Sequence, residues 1–329
     1  QQNPYNAVTT YDSDGTVKSS NPTLDKFKGG LVTDPNQIRD LLGAPATITP
    51  EQGTVAKTIG GVDRDFKMPQ VWKTSVAVDY QVPVSFPLTL TAEFIYTKKI
   101  NDVMLDNYNI KNNTSEWEHL NGADNRLIYP KDFTYYSNIN DACVLTNTHK
   151  GHGYTFNITA TAEPIKNLNV MAAYTHTVMK EISGMPGSNA SSAWSGLYTV
   201  NGPNFPTLQN SAYVIPDRLI ASVSYKYAKE HFSLFYTGYS PAGYSFFYNG
   251  DVNGDGIKND LMYIPKDDSE IQFASDADRQ AFWQFVEQDK YLKNHKGEYA
   301  EAYGARAPFV HRFDFRWAHD FDVKIGQTK

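Results

Sequence analysis

Across residues 71–99 apolar and polar side chains alternate with a period of two. Trp72, Thr74, Val76, Val78 and Tyr80 fall on one side, and Lys73, Ser75, Ala77, Asp79 and Gln81 on the other. After a short turn holding Pro83 and Pro87, Leu88, Leu90, Ala92, Phe94 and Tyr96 share a side opposite Thr89, Thr91, Glu93 and Thr97. Successive side chains of a strand point to opposite faces, so this spacing predicts a hairpin with one apolar wall and one polar wall. Each arm is about ten residues long and carries an aromatic residue near an end of its apolar side, as a strand crossing an outer membrane requires. Taken alone, the hairpin fits a soluble sandwich as well.

The pattern recurs. Tyr154, Phe156, Ile158, Ala160 and Ala162 alternate with Thr155, Asn157, Thr159, Thr161 and Glu163, and a turn at 164–167 leads to Leu168, Val170, Ala172 and Tyr174. Leu219, Ala221, Val223, Tyr225 and Tyr227 alternate with Ser222, Ser224 and Lys226, and Phe232, Leu234 and Tyr236 return after a turn at 228–230. A last strand sets Phe313, Phe315, Trp317 and Phe321 against Arg312, Asp314, Arg316 and Asp320. Between these lie long polar stretches. Residues 1–70 read as a loop with turn clusters at 12–15, 29–30 and 60–61 and one short helix at 36–42; residues 101–150 and 181–217 are turn-rich.

Short turns and long connections therefore alternate. In an up-and-down sheet every short turn falls at one end and every long connection at the other. Outer-membrane barrels have this asymmetry, whereas sandwiches mix connection lengths at both ends. The predicted class is all-β: an antiparallel transmembrane β-barrel segment with long extracellular loops. Its parts are an outer loop at 1–70, hairpins at 71–99, 153–178 and 218–240, a long outer loop at 241–307 and a strand at 309–321. Seven strands are an odd number, and an open sheet in lipid leaves bare edges, so the expectation is a segment of a larger barrel.

Composition narrows this little. With 40% hydrophobic residues and no apolar run near the ~18 residues of a membrane helix, a helical membrane protein is excluded while a barrel is not. The 14% aromatic content, 22 of the residues being Tyr, suits interfacial girdles and binding loops alike. A formal charge of −6 without any Lys/Arg-rich run argues against nucleic acid as a partner. Cys143 is the lone cysteine, which rules out an internal disulfide. Gln1 opens the chain without an initiator Met or a signal-peptide pattern, and a mature or partial chain is expected.

Four stretches carry a family resemblance: FKMPQVWKTSVAVDYQVP (66–83), GMPGSNASSAWSGLYTV (184–200), GYSPAGYSFFYNGDVNGDGIKNDLMYIP (238–265) and HRFDFRWAHDF (311–321). They resemble the later barrel of Oar-like TonB-dependent outer-membrane receptors of the Bacteroidetes. That resemblance implies a 22-stranded barrel with a plug, placed in the bacterial outer membrane. It further implies outer-membrane lipid, the remaining barrel and plug, the TonB energy-transducing complex, a nutrient ligand of unknown identity and a surface lipoprotein as partners. No TonB box, plug or closing strands occur in this sequence, so the chain would supply wall, lumen lining and outer loops. The alternative is a structural or adhesive outer-membrane barrel that binds a partner without import.

Candidate chemistry is concentrated at residues 251–260. Asp251, Asn253 and Asp255 alternate ahead of Gly256, the first half of a Ca²⁺ loop; the Ile257 carbonyl and Asn259 or Asp260 would add further oxygens. Met262 stands where a helical EF-hand has its bidentate Glu, so a helix-free loop with a structural Ca²⁺ is expected, against a plain acidic turn. Residues 275–292 read as a helix capped by Ser275, with a Phe282, Phe285, Val286 and Leu292 stripe that packs on neighbouring loops or serves as a lid. His149 and His152 have metal-ligand spacing but no third ligand. Trp194, Tyr198, Phe205, Tyr244, Phe246, Phe247 and Tyr248 either stack on a sugar or peptide or cement the loops. No nucleophile elbow, phosphate-binding glycine loop or HExxH is present, and no enzyme is expected.

Overall fold

The computed structural model describes residues 10–11, 17–18, 32–47, 57–323 and 326, in two compact units, 1–56 and 57–329. In the first, β1 (Thr10–Tyr11) pairs antiparallel with β2 (Val17–Lys18). The helix predicted at 36–42 is α1 (Pro35–Leu42). Asp34 caps it by accepting the Asn36 N–H at 2.9 Å, and Gly43 ends it at φ 67°. The turn clusters at 12–15 and 29–30 lie outside the described residues.

The second unit is built on one large sheet. Its strands are β3 (Thr58–Val62), β4 (Gln70–Gln81), β5 (Leu88–Asn107), β6 (Asp141–Thr148), β7 (His152–Ile165), β8 (Leu168–Glu181), β9 (Gln209–Asn210), β10 (Asp217–Tyr227) and β11 (Glu230–Tyr239). Two small pairs follow in the last connection: β12 (Gly243–Tyr244) with β15 (Ala305–Arg306), and β13 (Tyr263–Ile264) with β14 (Glu298–Tyr299). The last strand, β16 (Val310–His319), returns to the large sheet beside β11. The helices of this unit are α2 (Ala190–Ser195), α3 (Asp276–Gln288) and α4 (Lys290–Asn294).

Seven long strands run antiparallel in the order β4-β5-β7-β8-β10-β11-β16. The pairs Gln81↔Thr89, Ile165↔Leu168, Tyr227↔Glu230 and Glu230↔His319 place every short turn at one end. At the other end lie Gln70↔Asn101, His152↔Lys180, Asp217↔His176 and Tyr239↔Val310, and from there all the long connections leave. β4 and β16 each have one partner among the described residues, so the sheet does not close. The class is thus β-rich and largely antiparallel with few helices, and among the described residues no helix is long and apolar enough to cross a membrane. Neither barrel closure nor twenty-two strands is found among the described residues.

Register joins the apolar sides of all seven strands. One row reads Tyr80, Leu90, Ala160, Ala172, Ala221, Tyr236 and Phe313. Among the described residues nothing covers this face: Val76 is 64% exposed, Phe156 40%, Leu234 47% and Phe315 69%. Polar groups of the opposite face bond across strands, as in Thr91 to Asp79 at 2.5 Å and Ser224 to Ser233 at 3.0 Å. The buried core lies instead in the connections. One cluster gathers Leu105, Ile110, Leu127, Tyr129, Cys143, Ala193 and Trp194, and another Ile264, Val286, Leu292 and Ala300.

Three predicted boundaries differ. β5 runs on to Asn107 through a stretch read as loop, and Asp102↔Thr148 continues the register of Lys98↔His152, so β6 and β7 form one strand interrupted at 149–151. β3, inside the predicted 1–70 loop, pairs parallel with β6. Alternation is lost there because the buried side chains are polar: Asn107 Oδ1 accepts from Asn109 N–H at 3.1 Å and from Ala142 N–H at 2.9 Å. The 275–292 helix is broken at Asp289, whose Oδ1 accepts the Tyr291 and Leu292 amides and so starts α4. Val286 and Leu292 are buried among loop residues, the packing alternative for that stripe.

Candidate functional site

Residues 251–260 form a turn that folds its oxygens back on its own amides. Asp251 accepts from Gly254 N–H at 2.7 Å and Gly256 N–H at 2.9 Å. Asp255 Oδ1 accepts from Ile257 N–H at 2.7 Å, Asn253 Oδ1 from Asp255 N–H at 2.9 Å, and Asp260 Oδ2 from Val252 N–H at 2.8 Å. Gly254 and Gly256 stand at φ 83° and 85°, where a Cβ would be strained. Asn253, Asp255 and Asp260 are buried. Asn259 turns away, donating to the Ser195 carbonyl at 2.9 Å, which leaves Asp260 as the acidic end of the loop. Ile257 packs its side chain on the core around Leu105 and Tyr129.

Burial pushes the Asp255 carboxyl up to about 7; the charges of Asp260 and Asp251 act the same way, and the Ile257 amide opposes them. Asp260 is also raised, mainly by burial. Three carboxylates thus crowd one turn, an all-oxygen acidic donor set of the kind hard cations take. In the present side-chain arrangement no group of three or more Asp, Glu, His or Cys among the described residues converges as a metal cage.

Beside this turn sits Arg126, fully buried, which the sequence pattern did not single out. Its Nε and Nη2 donate to Asp124 at 2.9 and 2.8 Å, and Nη2 also donates to the Leu261 carbonyl at 2.9 Å. The guanidinium lies over Tyr248 at 5.1 Å and Tyr299 at 5.6 Å, with Nη1 3.9 Å from Asp260. Tyr299 in turn donates to Asp124 at 2.9 Å. One cation therefore ties the connection after β5 to the acidic turn and to β14. Its segment has no periodicity, and apart from Asp124 its partners Tyr248, Asp260, Leu261 and Tyr299 lie more than a hundred residues away, so no local signal marks its burial.

Most of the seven loop aromatics hold connections together. Trp194 is buried and donates to Asn204 at 2.8 Å; Tyr198 packs against Phe247 at 4.9 Å and Tyr303 at 5.6 Å; Phe205 meets the Trp117 edge at 6.0 Å. Phe246 stacks on Tyr291 at 6.0 Å. Tyr244 differs: it touches Phe246 edge-on at 5.5 Å and its exposed ring lines a cavity of about 270 Å³ with Lys290, Tyr291, Asn294, His295 and Arg306. His149 directs Nδ1 to the Ile100 carbonyl at 2.6 Å. Arg312 pairs with Asp314 at 2.9 Å, and Asp320 with His231 at 2.9 Å. The chain matches no protein-family model, no curated protein and no solved structure.

Proposed function

We propose that this chain forms wall and outer loops of the barrel of a TonB-dependent receptor in a bacterial outer membrane. One observation carries the reading: seven strands share an uncovered apolar face, and every bulky connection leaves from the same end. In water such a face is far larger than the patches monomers expose; against lipid it is the required surface. From Tyr154 to Ala162 the apolar side of β7 spans nine residues, ~30 Å along the strand, close to a tilted crossing of the apolar band. The free edges of β4 and β16 then take further strands of the same barrel.

In this reading the outer loops capture a nutrient, the polar face lines the lumen, and TonB-driven movement of a plug opens the path. The chain performs no reaction. Asp251, Asn253, Asp255 and Asp260, with the Ile257 carbonyl, would hold a structural Ca²⁺ that neutralises the turn and stiffens the loop. Alkaline extraction of native membranes tests the reading: the chain should stay in the pellet and need detergent. Release of the intact chain into the soluble fraction would falsify it. A reading frame lacking plug and TonB box would favour the adhesive barrel. For Ca²⁺, calorimetric titration of the intact protein should give binding that Asp255→Ala removes, and a flat isotherm for both would end that proposal.

A further inference from the structure

We infer that the cavity beneath Tyr244 is a subsite for one acidic sugar residue, a pyranose bearing a carboxylate. This names a ligand class for the outer loops and rests on the receptor reading. At about 270 Å³ the cavity lies near the small end of ligand sites, with room for one ring. Tyr244 supplies an exposed aromatic face for the apolar side of such a ring. Tyr291 cannot, because Phe246 and His295 lie nearly parallel to it, at interplanar angles of 17° and 22°.

Charge selects the acid. Arg306 is half-buried, and among the described residues its guanidinium reaches two carbonyls, Val214 at 3.4 Å and Pro241 at 3.3 Å. It forms no ion pair among the described residues; Asp217, the carboxylate whose field it feels, is engaged by Tyr174 at 2.6 Å and His176 at 2.9 Å. Lys290 opens on the same cavity, exposed. Asp289, the acid on this wall, has Oδ1 committed to two backbone amides. Two cations and one acid therefore line the space, a surplus of one positive charge, and half-buried charge is ordinarily paired. Acceptors for ring hydroxyls are present too. His295 Nδ1 donates to the Tyr291 carbonyl at 2.8 Å, a tautomer that leaves Nε2 as an acceptor. Asn294 Nδ2 donates to the Lys290 carbonyl at 2.9 Å, leaving Oδ1 free.

The test is calorimetric titration of the whole detergent-solubilised protein with sodium glucuronate, glucose and inorganic phosphate in parallel. Glucuronate should bind about tenfold more tightly than glucose, the worth of one charge-assisted contact. Arg306→Gln should erase that preference, and Tyr244→Leu should weaken both sugars. Equal binding of the two sugars, phosphate competing with glucuronate at equal strength, or an unchanged glucuronate isotherm in either folded variant overturns the subsite. If Arg306→Gln fails to fold, Lys290→Gln, at an exposed side chain, carries the same comparison. A chain that stays in alkaline-washed membranes yet binds neither sugar refutes the subsite alone. One that binds glucuronate but is released as a soluble species refutes the receptor alone.

Discussion

Asp255 shows how far single residues could be read ahead of the fold. Its place in an Asp-x-Asn-x-Asp-Gly run was legible, because the oxygens and the turn glycines are local in sequence. Its burial was not, since that depends on three connections meeting. Its pKa rises from 3.8 to about 7 on folding. A carboxyl raised in this way holds more protons in the folded loop than in the opened one, so the metal-free loop is most stable below about pH 4 and loses stability as pH climbs through 7. Hydrogen exchange at 252–261 should quicken over that window beyond the intrinsic rate, and Asp255→Asn should abolish the excess, worth on the order of 2–4 kcal/mol. Arg126 acts at the same scale. Arg126→Ala leaves the partly buried Asp124 and the buried Asp260 without their cation and should cost up to roughly 3–5 kcal/mol, seen as rapid protease cleavage of the loops while the strands persist.

At the scale of elements, β7, β8, β10 and β11 were legible because each has one apolar and one polar face, which imposes the period of two. β3 and the far half of β5 were not. There buried asparagines stand among apolar residues, Asn101 and Asn107 beside Leu105, and Gly60–Gly61 occupy β3, so the expected alternation is lost. The two tightest hairpin turns, β7–β8 and β10–β11, treat local rules differently. Asn167 adopts φ 68° as asparagine tolerates, but Ala228 stands at φ 51° with a Cβ that disfavours it. Ala228→Gly should raise stability by roughly 1 kcal/mol, read as a later urea midpoint for protein folded in detergent micelles.

For the whole molecule, two adjacent positions decide what surrounds the sheet. Ile158 lies mid-strand on the uncovered face and Thr159 on the polar wall. Folding into lipid vesicles, followed by denaturant titration, should find Ile158→Arg destabilised by ~2–4 kcal/mol and Thr159→Arg nearly unchanged. Equal losses at the two sites would contradict a lipid-facing wall. The placement of the core has a temporal meaning as well. Ile264, Val286, Leu292 and Ala300 all belong to one connection, so that knot can collapse as soon as its own stretch of chain has been delivered. Leu105, Cys143 and Trp194, joined by Ile257, come from three separate crossings, and their cluster must wait until the last has arrived. A chain stopped after β8 would therefore leave that cluster half built, with Cys143 open to thiol reagents that the finished protein excludes.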